Sequence, residues 1–269
     1  MAIESVYQPP LRGIPGRRTL KNFLATAMMP VGTTLYVYGG GWDQNDACAN
    51  EQARTLGVSE EWVRFFRSQN MDYSFRDGVS SRSGLDCSGF LGWTLYNVIN
   101  TENLKEGFVM KSTLMAKKLS EKGWGTWTQD IGAAQNHEHS MFLPGDVFSI
   151  SGHVWISLGT CKDGSIPVLH STAALSRSGH PGGGVELSAL GVDEHCDAYR
   201  LSDAYMSRYY PQWYARYPVA LKDYTQYTST ENEKAGKFSW DLTGKNGCLC
   251  DPDSYCGMTP EEILEDLFR

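Results

Sequence analysis

The chain contains no run of about 18 consecutive apolar residues, the length a helix needs to cross a bilayer, so no membrane span is expected. Positive charge is also scarce. Lys and Arg number 24 against 31 Asp and Glu, a formal net charge of −7, and no basic cluster interleaved with aromatics offsets it. Nucleic acid is therefore disfavoured as a partner. Internal repeats and low-complexity tracts are lacking too, and 269 residues are enough for one good core with an insertion or a tail, without requiring two domains. Residues 1–18 are polar and contain proline, with no apolar core of the kind a secretion signal carries, which favours a cytoplasmic protein. The run Phe23-Leu24-Ala25-Thr26-Ala27-Met28-Met29 after Arg17, Arg18 and Lys21 imitates such a signal. Residues 18–30 are read instead as the amphipathic helix that leads into a strand bearing Tyr36; a chain whose leader had been cut away would belong outside the cell or in its wall.

What the sequence does contain is a thiol at the start of a helix. Asp86-Cys87-Ser88-Gly89 precedes an apolar stretch in which Phe90, Leu91, Leu95, Val98 and Ile99 recur on one face at helical period. Unpaired N–H groups and the positive end of the helix dipole favour thiolate over thiol, and the thiolate is the nucleophile. Of the seven cysteines, Cys87 is thus the candidate for catalysis. Gly84 and Gly89 permit a sharp entry and close backbone approach.

A catalytic thiol needs a base. Among six histidines, His153 follows a Ser-Gly turn between two strand-like runs, Val147-Phe148-Ser149-Ile150 and Val154-Trp155-Ile156-Ser157-Leu158, which places it at the start of a strand. The next strand, Ile166-Pro167-Val168-Leu169-His170-Ser171, offers His170 to orient the imidazole through its other ring nitrogen.

Four segments in this order resemble the NlpC family of bacterial cell-wall cysteine peptidases. They are Val31-Gly32-Thr33-Thr34-Leu35-Tyr36-Val37-Tyr38-Gly39-Gly40, Asp86-Cys87-Ser88-Gly89-Phe90, Pro144-Gly145-Asp146 with Gly152-His153-Val154, and Val168-Leu169-His170-Ser171. The resemblance implies an α+β, papain-like fold in which a helix carrying the nucleophile packs on a central antiparallel β-sheet. It implies Cys87 as nucleophile, His153 as base and His170 as orienting residue. Tyr36 and the backbone N–H of Cys87 would hold the oxyanion, and Asp86, Ser88 and Tyr36 would contact substrate, with helix capping as the other role open to Asp86. The implied substrate is a cell-wall stem peptide, cut between D-glutamate, through its side-chain carboxyl, and the following diamino acid. A papain-like amidase or acyltransferase, and a catalytically silent wall-peptide binder, are the alternatives.

The chain departs from the family in having Leu35 for a proline, Tyr38 for a tryptophan, and an insertion at about 41–84. Ser59 caps a helix in that insertion, with Trp62, Phe65 and Phe66 on its apolar face, and the insertion is placed to roof the cleft. The peptidase domain is expected over 18–221 and a C-terminal extension over 222–269, packed on or beside it. Residues 222–247, polar and aperiodic, read as a surface excursion. The aromatics Tyr199, Tyr205, Tyr209, Tyr210, Trp213, Tyr214 and Tyr217 read as packing, and Pro211 as a helix interruption. Thr259-Pro260-Glu261-Glu262 is a capping box ahead of Ile263, Leu264, Leu267 and Phe268. No cofactor or metal is expected: Cys248, Cys250 and Cys256 depart from standard zinc-knuckle spacing, and His137-Glu138-His139 reads as a solvated loop. Six cysteines besides Cys87 fit disulfides or free thiols equally well, and no oligomeric state is indicated.

Overall fold

In a computed structural model describing residues 10–43, 48–100, 107–131, 142–243 and 248–269, the chain is mixed α+β, built around a seven-stranded mixed sheet. His137, Glu138 and His139 lie outside the described residues. In chain order the first elements are helix α1 (Leu20–Met28), strands β1 (Trp42–Asp43) and β2 (Cys48–Ala49), and helices α2 (Glu60–Ser68), α3 (Cys87–Ile99) and α4 (Met115–Glu121). Strands β3 (Gly125–Thr128), β4 (Pro144–Ile150), β5 (His153–Leu158), β6 (Ile166–Thr172) and β7 (Gly184–Gly191) follow. Helices α5 (Asp197–Tyr209) and α6 (Pro211–Tyr214), strand β8 (Leu221–Asp223), helix α7 (Tyr224–Tyr227), strand β9 (Gly236–Trp240) and helix α8 (Pro260–Leu267) complete the strands and α-helices of the described residues. The large sheet runs β3-β9-β4-β5-β6-β7-β8.

The helix boundaries follow local chemistry. Asp86 caps α3 by accepting from the Gly89 N–H, Ser59 caps α2 by accepting from the Glu61 N–H, and Thr259 and Glu262 form the expected reciprocal box at α8. Pro211 separates α5 from α6, as a residue without an N–H and with a fixed φ does. Helix α1 is not amphipathic. All its residues except Lys21 are buried, because α3 and β4 pack on it from different sides.

Strands β6 and β7 are buried along their whole length, so both faces of the sheet are covered. Side-chain alternation divides them. Val154, Ile156, Leu169, Val185 and Leu187 join α1 and α3 in the main core, while Trp155, Ile166, Val168 and Leu190 join Phe142, Phe148 and Tyr224 in a smaller one on the opposite face.

Three expectations are corrected. The sheet is not wholly antiparallel, since β7 and β8 run parallel. Tyr36 lies on no strand; single bridges from Leu35 to Gly184 and from Tyr36 to Leu85 hold that segment. And the described residues of the 222–247 stretch, 222–243, are not a surface excursion. Within them β9 pairs with both β3 and β4, in the interior of the sheet, with Phe238 fully buried. The sheet therefore crosses the expected boundary at 221. The aromatics of α5 pack as expected: Tyr205 and Tyr209 meet Phe268 at centroid distances of 5.2 and 4.4 Å, which docks the end of the chain.

Candidate active site

Cys87 is the first residue of α3, 5% exposed, and it meets the sheet at the start of β5. Its Sγ lies 3.9 Å from the carbonyl oxygen of Gly152, and the Val154 N–H also points to it, so its neighbours flank His153 on both sides. Gly152 sits at φ +79°, the left-handed conformation that lets the β4–β5 turn close so tightly.

The two histidines are brought together. Nε2 of His153 is 2.8 Å from Nδ1 of His170, and the Tyr227 ring packs against both imidazoles at 5.5 and 6.3 Å. The thiol, by contrast, is hydrogen-bonded to neither ring. Alternation explains the difference: α3 packs with the face bearing Val154, Ile156 and Leu169, while His153 and His170 belong by parity with Trp155 and Val168. Nδ1 of His153 has no hydrogen-bond partner among the described residues.

Both partners are neutral at rest. Burial pushes the Cys87 thiol up to about 12, and the Asp86 carboxylate adds to the shift, against the opposing pull of the Val154 and Ser88 N–H groups and the Ser112 hydroxyl. Burial, reinforced by Lys222, lowers His153 to about 3. His170 is driven down by burial, then by His153 and Lys222. Desolvation of the anion thus works against the thiolate stabilisation expected from the donors of the first turn.

Tyr36 is half-buried, its phenol held well above the usual range by burial and by the Cys87 and Asp86 charges, so it stays a donor. Asp86 and Ser88 are engaged with each other. Asp86 Oδ1 accepts from the Gly89 N–H at 2.7 Å and from Ser88 Oγ at 2.8 Å, and Ser88 Oγ accepts from Trp42 Nε1 at 2.9 Å. Burial raises the Asp86 carboxyl to about 6 against these donors. Close approach at Gly89 serves the chain rather than a ligand: a Cβ there would stand 1.9 Å from the Gly40 carbonyl oxygen.

The segment carrying α2 packs on this site. Tyr73 Oη donates to the Tyr36 carbonyl at 2.7 Å, Phe75 meets the Tyr36 ring edge-on at 5.4 Å, and Trp62 meets Trp93 of α3 at 5.8 Å. A cleft of about 760 Å³, lined by Lys111, Ser112, Thr113, Gly152, Glu231 and Lys234, opens beside the Gly152 carbonyl.

No family model, curated protein or solved structure matches the chain. Its site must be read from its own geometry. That geometry includes residues which sequence reasoning missed. Nε2 of His170 is 2.9 Å from Ser188 Oγ, Ser188 Oγ donates to Glu186 Oε1 at 3.0 Å, and Trp213 Nε1 donates to Glu186 Oε2 at 3.3 Å. Register puts Glu186 directly opposite His170 and Ser188 opposite Val168, on one face of β7. The sequence held one sign of this: an acid enclosed between Val185 and Leu187 in a buried strand. Burial raises Glu186 to about 7, with Lys222, Ser188 and Trp213 opposing. Among the described residues no three His, Cys, Asp or Glu cluster to hold a metal, and Cys248, Cys250 and Cys256 are free thiols.

Proposed function

We propose that the chain is a papain-like cysteine peptidase of the NlpC type that hydrolyses bacterial cell-wall stem peptides at the bond between γ-D-glutamate and an L-diamino acid. The observation that carries this reading is the thiol of Cys87 at the head of α3, seated on the backbone around His153, whose ring is hydrogen-bonded to that of His170. The substrate bond comes from the resemblance of the four segments.

In this reading the Cys87 proton passes around the end of β5 to His153, through an intervening water, as the sulfur attacks the amide carbon. Because thiol and imidazole start neutral, the transfer accompanies attack rather than preceding it. The Tyr36 hydroxyl and the Cys87 N–H receive the oxyanion. As the C–N bond breaks, His153 returns the proton to the departing amine, leaving a thioester on Cys87. Water, deprotonated by His153, then releases the acid and restores the thiol. Asp86, with Ser88 beside it, supplies the negative charge that a peptide's free amino terminus would meet. The insertion against Tyr36 narrows access and favours short free peptides over polymer.

Mass spectrometry of products from free stem peptides and from intact wall polymer tests this, with Cys87→Ala as control. Cysteine-dependent cleavage of the γ-D-glutamyl bond supports the reading; cleavage of free peptides alone supports a recycling role in the cytoplasm. Cysteine-dependent acyl transfer to an amine would replace it with an acyltransferase. Binding without a Cys87-dependent product would replace it with a silent binder.

A further inference from the structure

With Glu186 ionised, a hydrogen-bonded line running from His153 through His170 and Ser188 to Glu186 has only one consistent direction, and that direction decides which nitrogen of His153 is basic. We propose that Glu186, a residue remote from the thiol, is a positioning residue that fixes the tautomers of both histidines and so holds Nδ1 of His153 ready to accept a proton. This rests on the reading of Cys87 and His153 as a nucleophile and base.

The argument starts at the carboxylate. Ionised, Glu186 only accepts, and two buried donors address it: Ser188 Oγ at 3.0 Å and Trp213 Nε1 at 3.3 Å. An indole N–H has no acceptor capacity, so Oε2 is committed to it and Oε1 to the hydroxyl. Having given its one proton to Glu186, Ser188 has only lone pairs for His170 Nε2, 2.9 Å away. His170 Nε2 must therefore carry a hydrogen. A neutral imidazole has one, so His170 Nδ1 is a lone pair and can only accept from His153 Nε2, 2.8 Å away. His153 thus carries its hydrogen on Nε2, and its Nδ1, free of partners among the described residues, is the base. Both rings are held neutral by burial, which the chain requires, since a charged ring would donate from both nitrogens. His170, Ser188 and Glu186 are each at most 1% exposed, so water does not offer competing partners.

Substitution Glu186→Gln should turn the line around. Trp213 Nε1–H claims the amide oxygen, which leaves the amide NH₂ facing Ser188. The hydroxyl then donates to His170 Nε2, His170 donates from Nδ1 to His153 Nε2, and His153 is left with its hydrogen on Nδ1. Removing the indole donor as well, in Glu186→Gln with Trp213→Phe, lets the amide present its oxygen to Ser188 and restores the original order.

The test is ¹⁵N NMR of the full-length protein labelled at histidine, at pH 8, beside turnover of a γ-D-glutamyl-L-diamino acid peptide. Wild type should show His153 protonated at Nε2, and Glu186→Gln should show it protonated at Nδ1, with kcat down about tenfold or more and KM within about twofold. The double variant should recover the wild-type tautomer and most of kcat. If Glu186→Gln does not fold, Ser188→Ala gives the same reading, since without the hydroxyl both tautomers of His153 become populated. A wild-type His153 protonated at Nδ1, or tautomers unmoved by any of these changes, would overturn the proposal. Tautomers that switch as described in a protein that turns over no peptide would sink the peptidase reading and leave the line of hydrogen bonds intact.

Discussion

Tyr73, in the segment between α2 and α3, reaches across 37 positions of sequence to donate a 2.7 Å hydrogen bond to the backbone carbonyl of Tyr36. That segment is thereby tied to the loop that presents the Tyr36 phenol beside Cys87. Tyr73→Phe removes one hydrogen bond and leaves the ring contact with Phe65 in place, so about 1 kcal/mol of stability should be lost, roughly 2–4 °C in melting temperature. Because the lost bond positions Tyr36, peptide turnover should fall by more than the stability change alone would cause. Calorimetry and steady-state kinetics on the variant check both; a lower melting temperature with unchanged kcat would separate the Tyr73 segment from the site.

Thiol reactivity should follow the neutral pair. With Cys87 pushed up to about 12 and His153 down to about 3, the resting protein holds little thiolate. Alkylation of Cys87 by iodoacetamide should be slow at pH 5–6 and climb about tenfold per pH unit from there through pH 9. Peptide mapping by mass spectrometry follows it; rapid labelling at pH 5 with a plateau to neutrality would show an ion pair instead.

Acid should unfold the protein through His153 and His170, whose imidazoles are desolvated. Their folded values lie below the unfolded value near 6.5, so the unfolded chain binds more protons as pH falls. The stability they contribute is complete above pH 6.5 and is lost below it. Asp86 and Glu186, raised by burial, act in the opposite sense. His170→Asn should therefore reduce the loss on acidification by up to about 1.4 kcal/mol per pH unit below 6.5. Urea melts of both proteins between pH 7 and 5 measure the difference; parallel curves would show that His170 titrates normally.

Strand β9 makes the C-terminal residues part of the domain. Phe238→Ala should cost about 3–5 kcal/mol, as truncation of a fully buried aromatic does. A chain ending at residue 221 loses the strand between β3 and β4 and should not fold cooperatively. A truncated protein with an intact, sharp thermal transition would contradict this.

What was legible in the sequence was what depends on neighbours along the chain. Capping residues located the starts of α2, α3 and α8, and the Ser-Gly turn located the β4–β5 hairpin and hence His153. Properties set by distant packing were hidden. The β9 stretch alternates burial over only five residues, Gly236 to Trp240, between polar flanks, too short a signal to mark an interior strand. The protonation of Cys87 depends on desolvation by the sheet, which no helix-start motif encodes. Glu186 and Ser188 acquire meaning only through register, since nothing in β7 says that His170 will lie opposite.

The order of strands also sets an order in time. The β3–β9–β4 arrangement puts a strand ending at residue 240 between two that are complete by residue 150, so a chain emerging from the ribosome presents two unpaired backbone edges for the synthesis of some ninety further residues. The sheet closes only after residue 240 is made. Until then the open edges are the part of the nascent chain most exposed to mispairing with another copy, and the pairing that removes the hazard is the one that completes the fold.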